Sequence, residues 1–168
     1  MILPRMFFSL LSMLLAITTY SQEPQTIYNL NASGGTVYFS LASGKETGAD
    51  KSNTPAWDIS FAKTTISVNE KGKVTAQVVS STFEALKKAP ESGYRPDTDE
   101  SKAIPTGSGN GWYHYNMEDH TILPIADRTI VVKASDGKRY KIKIISYNKD
   151  QKLFESTGYY TFQYIAVD

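Results

Sequence analysis

The run Trp112-Tyr113-His114-Tyr115-Asn116-Met117-Glu118-Asp119-His120 gathers the densest set of reactive side chains in the chain, including both of its histidines. Imidazole nitrogen and thioether sulfur bind soft and borderline metals, and a carboxylate from Glu118 or Asp119 would complete a three-donor zinc set with His114 and His120. The spacing matches no familiar zinc pattern, and a histidine on a strand also serves to pack or to cap a turn. Trp112, Tyr113 and Tyr115 add flat rings that could line a groove for a planar apolar ligand.

Other chemistries find less support. Nucleophilic catalysis needs a hydroxyl beside an oriented base, and no serine here sits in a G-x-S-x-G elbow. Asp58, Glu84, Asp97, Asp99, Glu100 and Asp119 offer carboxylates for sugar hydrolysis, but no spacing singles out a pair. The absence of cysteine excludes disulfides, thiolate metal sites and a cysteine nucleophile. With 18 basic against 17 acidic side chains, the chain lacks the positive surplus of a protein that neutralises phosphates, so no nucleic-acid partner is expected. The residues point to a binding protein, not an enzyme.

Residues 1–21 read as a secretory leader. Arg5 is its sole charge, and the apolar run over 6–17 is too short for a hydrocarbon layer that needs about 20 residues. Thr19-Tyr20-Ser21 presents small residues at the two positions a signal peptidase inspects, so cleavage is expected before Gln22. A lipid anchor would require a cysteine just after the apolar run. The expected product is therefore a single domain over 22–168, exported to the periplasm or beyond, with no lipid anchor and no transmembrane segment. Three of the four methionines leave with the leader, and Met117 remains.

The periodicity that must position these groups is that of strands. Val37, Phe39 and Leu41 alternate with polar or small neighbours, as do Ile59 and Phe61, Ile66 and Val68, and Val74, Ala76 and Val78 on the far side of Lys71-Gly72. Such alternation predicts half-buried antiparallel strands. Strand patterns over 128–134 and 138–147 flank Ser135-Asp136-Gly137. A two-residue loop would set Val132 opposite Lys141, whereas a three-residue loop with Gly137 in the left-handed region pairs Val132 with Tyr140 and Ile130 with Ile142. The second register is predicted, because a one-residue slip turns every side chain to the wrong face. It also places Lys133, Arg139 and Lys141 on the wet face. A last strand over 158–167 is apolar on both sides, which suits the middle of a sheet.

Ser81-Thr82-Phe83-Glu84 has the form of a capping box, and with Lys87, Lys88 and Pro90 behind it predicts one short helix over 82–89. Residues 90–111 carry three prolines, four glycines and little strand pattern; a loop this long is usually functional or disordered. The fold class expected is all-β, a mainly antiparallel, sandwich-like arrangement with that one helix.

Four stretches, in order, resemble the HmuY family of haem-binding proteins. They are Gly35-Thr36-Val37-Tyr38-Phe39-Ser40 with Gly44-Lys45-Glu46; Trp57-Asp58-Ile59-Ser60-Phe61; Gly111-Trp112-Tyr113 through His120-Thr121-Ile122; and Ala134-Ser135-Asp136-Gly137-Lys138 with 141–147 and Tyr159-Tyr160-Thr161-Phe162-Gln163-Tyr164. The resemblance implies an all-β fold whose loop regions clamp haem and supply axial His or Met ligands. By position Met117 is the first axial candidate, followed by His114 and His120, with Trp112, Tyr113 and Tyr115 as the haem pocket. The second ligand-bearing region falls around 83–105, which holds no His or Met, and Tyr94 is its one plausible donor. The partners implied are haem or a related tetrapyrrole, and an outer-membrane haem receptor or a host haemoprotein. The alternative is a non-catalytic extracellular module on the same scaffold that binds a glycan or a protein and has lost haem binding.

Overall fold

The computed structural model describes residues 23–168. The expected leader lies outside these residues. Two antiparallel sheets face each other across one core. The larger has the order β1 (Gln25–Asn31), β11 (Thr157–Ala166), β10 (Arg139–Asn148), β9 (Arg128–Lys133), β6 (Thr75–Ser80). The smaller runs β3 (Lys45–Thr47), β2 (Val37–Ser40), β4 (Ile59–Ala62), β5 (Thr65–Val68). A separate hairpin joins β7 (Tyr113–Tyr115) to β8 (Ile122–Pro124). Among the described residues, no helix is long and apolar enough to cross a membrane.

The alternating residues do what their period requires. Phe39, Ile59, Phe61 and Ile66 enter the core from the small sheet, and Ile130, Val132, Ile142, Tyr160, Phe162 and Tyr164 enter from the large one. Their rings interlock: Phe162 meets Phe39 edge-on at 5.4 Å between centroids and stacks on Phe61 at 5.3 Å. Such pairs add roughly 0.5–1.5 kcal/mol each beyond the area they bury. β11 lies between β1 and β10, the interior place its two apolar faces predict. The β9–β10 register pairs Val132 with Tyr140 and Ile130 with Ile142, and Gly137 has φ +82°, as the three-residue loop requires.

The stretch 82–89 is not a helix but a single turn, closed by the Leu86 N–H on the Thr82 carbonyl at 3.1 Å. Thr82, rather than Ser81, caps it by accepting the Ala85 N–H at 3.1 Å. The carbonyls left free at its end are taken by Lys141, which donates from Nζ to Phe83 at 2.7 Å and Leu86 at 2.9 Å. For the same reason Lys141 is half-buried and does not share the open exposure of Lys133.

The strands on either side of Lys71-Gly72 belong to different sheets. Asn69 makes that corner: its side-chain amide donates to the carbonyls of Thr54 and Trp57, and its Oδ1 accepts the Lys71 N–H.

The long segment 90–111 docks on an edge strand of each sheet. Arg95 exchanges both backbone hydrogen bonds with Ala76 at 2.9 Å, on edge strand β6. The Asp97 carboxylate then accepts the Val68 N–H at the end of edge strand β5, and Ala103 and Ile104 are buried. The segment covers the edges of both sheets, which would otherwise offer unpaired backbone to another chain.

Candidate functional site

β7 is fixed from within. The Trp112 indole is 2% exposed, donates to the Thr64 carbonyl at 3.0 Å, and packs against Tyr113, Tyr160 and Tyr147 with centroids 4.9, 5.4 and 5.8 Å away. Strand alternation then turns Tyr113 inward and His114 outward, and leaves Tyr115 half-buried against the core. Trp112 and Tyr113 thus lie in the core and anchor the hairpin; neither ring presents an open face. The edge of β7 is supported by residues 106–110, where the Tyr115 N–H donates to Ser108 Oγ at 2.8 Å and the Gly109 N–H to the Tyr113 carbonyl at 2.8 Å.

The turn between β7 and β8 is held by its own side chains. Asn116 Oδ1 accepts the Glu118 N–H at 3.0 Å, and Asp119 Oδ1 accepts both the N–H of Thr121 at 3.0 Å and its hydroxyl at 2.7 Å. Those bonds hold the Asp119 carboxyl below its ordinary range, the side-chain bond from Thr121 contributing most. Asp119 is therefore engaged in shaping the turn. Among the described residues, no three His, Asp or Glu side chains converge to hold a metal ion.

The donors stand on the outside of this frame. Met117 is 76% exposed at the turn. His120 adopts φ +60° and places Nδ1 2.5 Å from the Tyr115 hydroxyl, and its Nε2 has no partner among the described residues. His114 is exposed, with Nδ1 3.4 Å from Ser108 Oγ.

Tyr94 lies elsewhere. It precedes Arg95, which is bridged to Ala76, and the sheet register runs from Ala76 through Val132 to Tyr140. The hairpin instead flanks residues 145–148 of β10, at least five residues further on, or roughly 16 Å along a strand. The fold does not bring Tyr94 and the hairpin donors together around one atom. The Tyr94 hydroxyl is buried, and desolvation pushes its pKa up.

Between β8 and β10 lies a shallow cleft of about 180 Å³, lined by Ile122, Leu123, Pro124, Tyr147 and Leu153 among others. Leu123 is the cross-strand partner of His114, so both project from the same face of the hairpin. The sequence reading missed Leu153 and Phe154, since the segment after Asn148 reads as a polar turn. Their signal is an apolar pair inside a turn, outside any strand alternation.

The family description that matches this chain is "HmuY protein", over residues 33–164. The chain belongs to the HmuY family. No curated protein matches it. Among solved structures, it resembles the apo HmuY analog of Tannerella forsythia, with TM-score 0.60 and 17% identity over 87% of this chain and 95% of that one. A Bacteroides vulgatus protein described as HmuY-like and heme binding gives TM-score 0.59 at 18% identity, covering 84% of this chain and 91% of its own. Apo PinO from Porphyromonas gingivitis gives 0.61 at 14%, covering 88% and 99%. At these identities the structural likeness establishes an HmuY-type fold.

Proposed function

We propose that this HmuY-family protein is a non-catalytic, exported haem-binding protein that captures haem, or a related tetrapyrrole, for iron acquisition, and that it does so at the β7–β8 hairpin. The observation that carries this reading is the exposure of Met117, His114 and His120 on one hairpin locked at its base by Trp112. The donor set fits the cargo: a thioether or imidazole coordinates haem iron, while apolar side chains cover the porphyrin. Family membership adds support, as does the likeness to a Bacteroides vulgatus structure described as heme binding. In this reading the hairpin holds the donors at fixed spacing and the protein performs no bond chemistry. Export without a lipid anchor, and delivery to an outer-membrane receptor or capture from a host haemoprotein, belong to the same proposal.

Titrating purified residues 22–168 with haemin tests it. The expected result is a Soret band that shifts and saturates near one equivalent; a band that does not shift overturns the reading. Met117→Ala and His114→Ala then separate the donors, since loss of the true ligand alters the low-spin spectrum. The rival is an extracellular module that binds a glycan or a protein. It is favoured by the separation of Tyr94 from the hairpin, and it predicts no Soret shift.

A further inference from the structure

Four large apolar side chains of this fold face solvent close to one end of β10 or on the hairpin beside it: Met117, Leu123, Leu153 and Phe154, the last 73% exposed. Leu123 and Leu153 both line the cleft beside β10. Leu153 and Phe154 belong to the connection between β10 and β11, and its backbone is unusual. Asp150, Gln151 and Phe154 have φ of +52°, +59° and +69°, a region that costs a residue with a side chain roughly 1–3 kcal/mol.

The segment is nevertheless held firmly. The Lys149 N–H donates to the Ser156 carbonyl at 2.9 Å, and the N–H groups of Lys152 and Glu155 each close a tight turn at 3.1 Å. Asn29 and Asp150 bond reciprocally: the Asn29 side-chain amide donates to Asp150 Oδ1 at 2.7 Å, and the Asp150 N–H to Asn29 Oδ1 at 2.8 Å. This is a braced loop that spends conformational energy and leaves a leucine and a phenylalanine outside. Strain retained in this way is a mark of a functional segment.

From this arrangement we infer that the loop over 149–156 is a wall of the tetrapyrrole site, with Leu123, Leu153 and Phe154 covering the ring and His114 as the iron donor on their side. The inference rests on the haem reading above and adds to it the surface that the ring covers. His114 is assigned because it is the cross-strand partner of Leu123, which lines the same cleft as Leu153. Lys152 adjoins Leu153 in the chain, is exposed, and forms no ion pair among the described residues, so it suits a carboxylate at the ring edge. Glu155 on the same loop would repel one that lay on its side. The ligand class is a planar amphiphile bearing carboxylates.

The test compares the wild-type protein with the double variant Leu153→Ser/Phe154→Ser and with Leu123→Ser, using haemin and iron-free protoporphyrin IX as separate probes. The three side chains are 40, 45 and 73% exposed, and thermal unfolding of each variant, measured alongside, separates loss of binding from loss of fold. The double variant is expected to raise Kd at least about tenfold for both probes, because apolar cover is lost whether or not iron is present. His114→Ala should weaken haemin far more than protoporphyrin IX. If wild-type protein binds haemin and the double variant matches its Kd, the wall is overturned while the haem reading stands. If wild-type protein binds neither probe, both fall.

Discussion

Asp58 grips Ser135 twice across the fold, its Oδ1 accepting the Ser135 N–H at 2.9 Å and hydroxyl at 2.7 Å. Its Oδ2 accepts the Leu41 N–H at 2.8 Å. One carboxylate thus joins the end of β2, the approach to β4 and the β9–β10 loop. It is 1% exposed and Leu41 is 2% exposed, so the Leu41 N–H in particular would lose its partner with little water to replace it. Asp58→Ala is expected to cost about 3–5 kcal/mol, measured as a fall in unfolding free energy by denaturant titration. A loss below about 1 kcal/mol would mean that the brace is dispensable.

Gly137 and Gly158 separate two reasons for glycine. Both have positive φ, +82° and +88°, but a Cβ at Gly137 meets nothing within 4 Å, whereas one at Gly158 comes within 2.8 Å of the Ser33 Cα. Gly137→Ala should therefore cost about 1 kcal/mol, and Gly137→Asn less, since asparagine tolerates the left-handed region. Gly158→Ala adds a backbone clash and should cost about 2–4 kcal/mol. Equal losses at the two sites, read from thermal or denaturant unfolding, would contradict this account.

Much of this architecture is legible because strand period and turn chemistry are local. The alternation of Val37, Phe39 and Leu41, and the faces of the hairpin around Gly137, fix which side of a strand is wet. What the sequence could not reveal depends on partners far along the chain. Phe83 and Leu86 suggest a helix face until Lys141 is found bonded to their carbonyls. Trp112 reads as a free platform until its indole is found on the Thr64 carbonyl. Asp58 reads as an available acid until Ser135 and Leu41 surround it. Leu153 and Phe154 carry no periodic signal, because what turns them outward is a strained backbone braced by Asn29.

Alkaline pH should unfold the protein through its tyrosines. Burial is the main reason that Tyr140, Tyr147, Tyr160 and Tyr164 all have their pKa raised; for Tyr140 a hydrogen bond to Asp136 adds to it. A raised folded-state pKa means that these groups favour the fold fully below the unfolded value, near 10, and cease to do so as pH climbs beyond it. Stability should stay flat on their account at neutral pH and fall steeply above about pH 10. Tyrosinate absorbance and circular dichroism followed together provide the check. These tyrosines should ionise with the loss of structure, and their ionisation in a still-folded protein would refute the argument.

The turn over 82–89 should depend on a residue outside it. Besides bonding the Phe83 and Leu86 carbonyls, Lys141 Nζ lies 4.4 Å from the Phe83 ring centroid, and its own pKa is lowered, chiefly by desolvation and then by Lys87. The neighbouring pair, Lys143 on Glu84 at 2.6 Å, is largely solvated and contributes little by comparison. Lys141→Met keeps an apolar stem over the ring but removes the donor from both carbonyls. The expected cost is about 1–2 kcal/mol, together with faster amide exchange at Ala85 and Leu86, while Val131 and Val132 in the sheet stay protected. If Lys143→Met loosened the turn equally, the carbonyl bonds of Lys141 would not be what holds it.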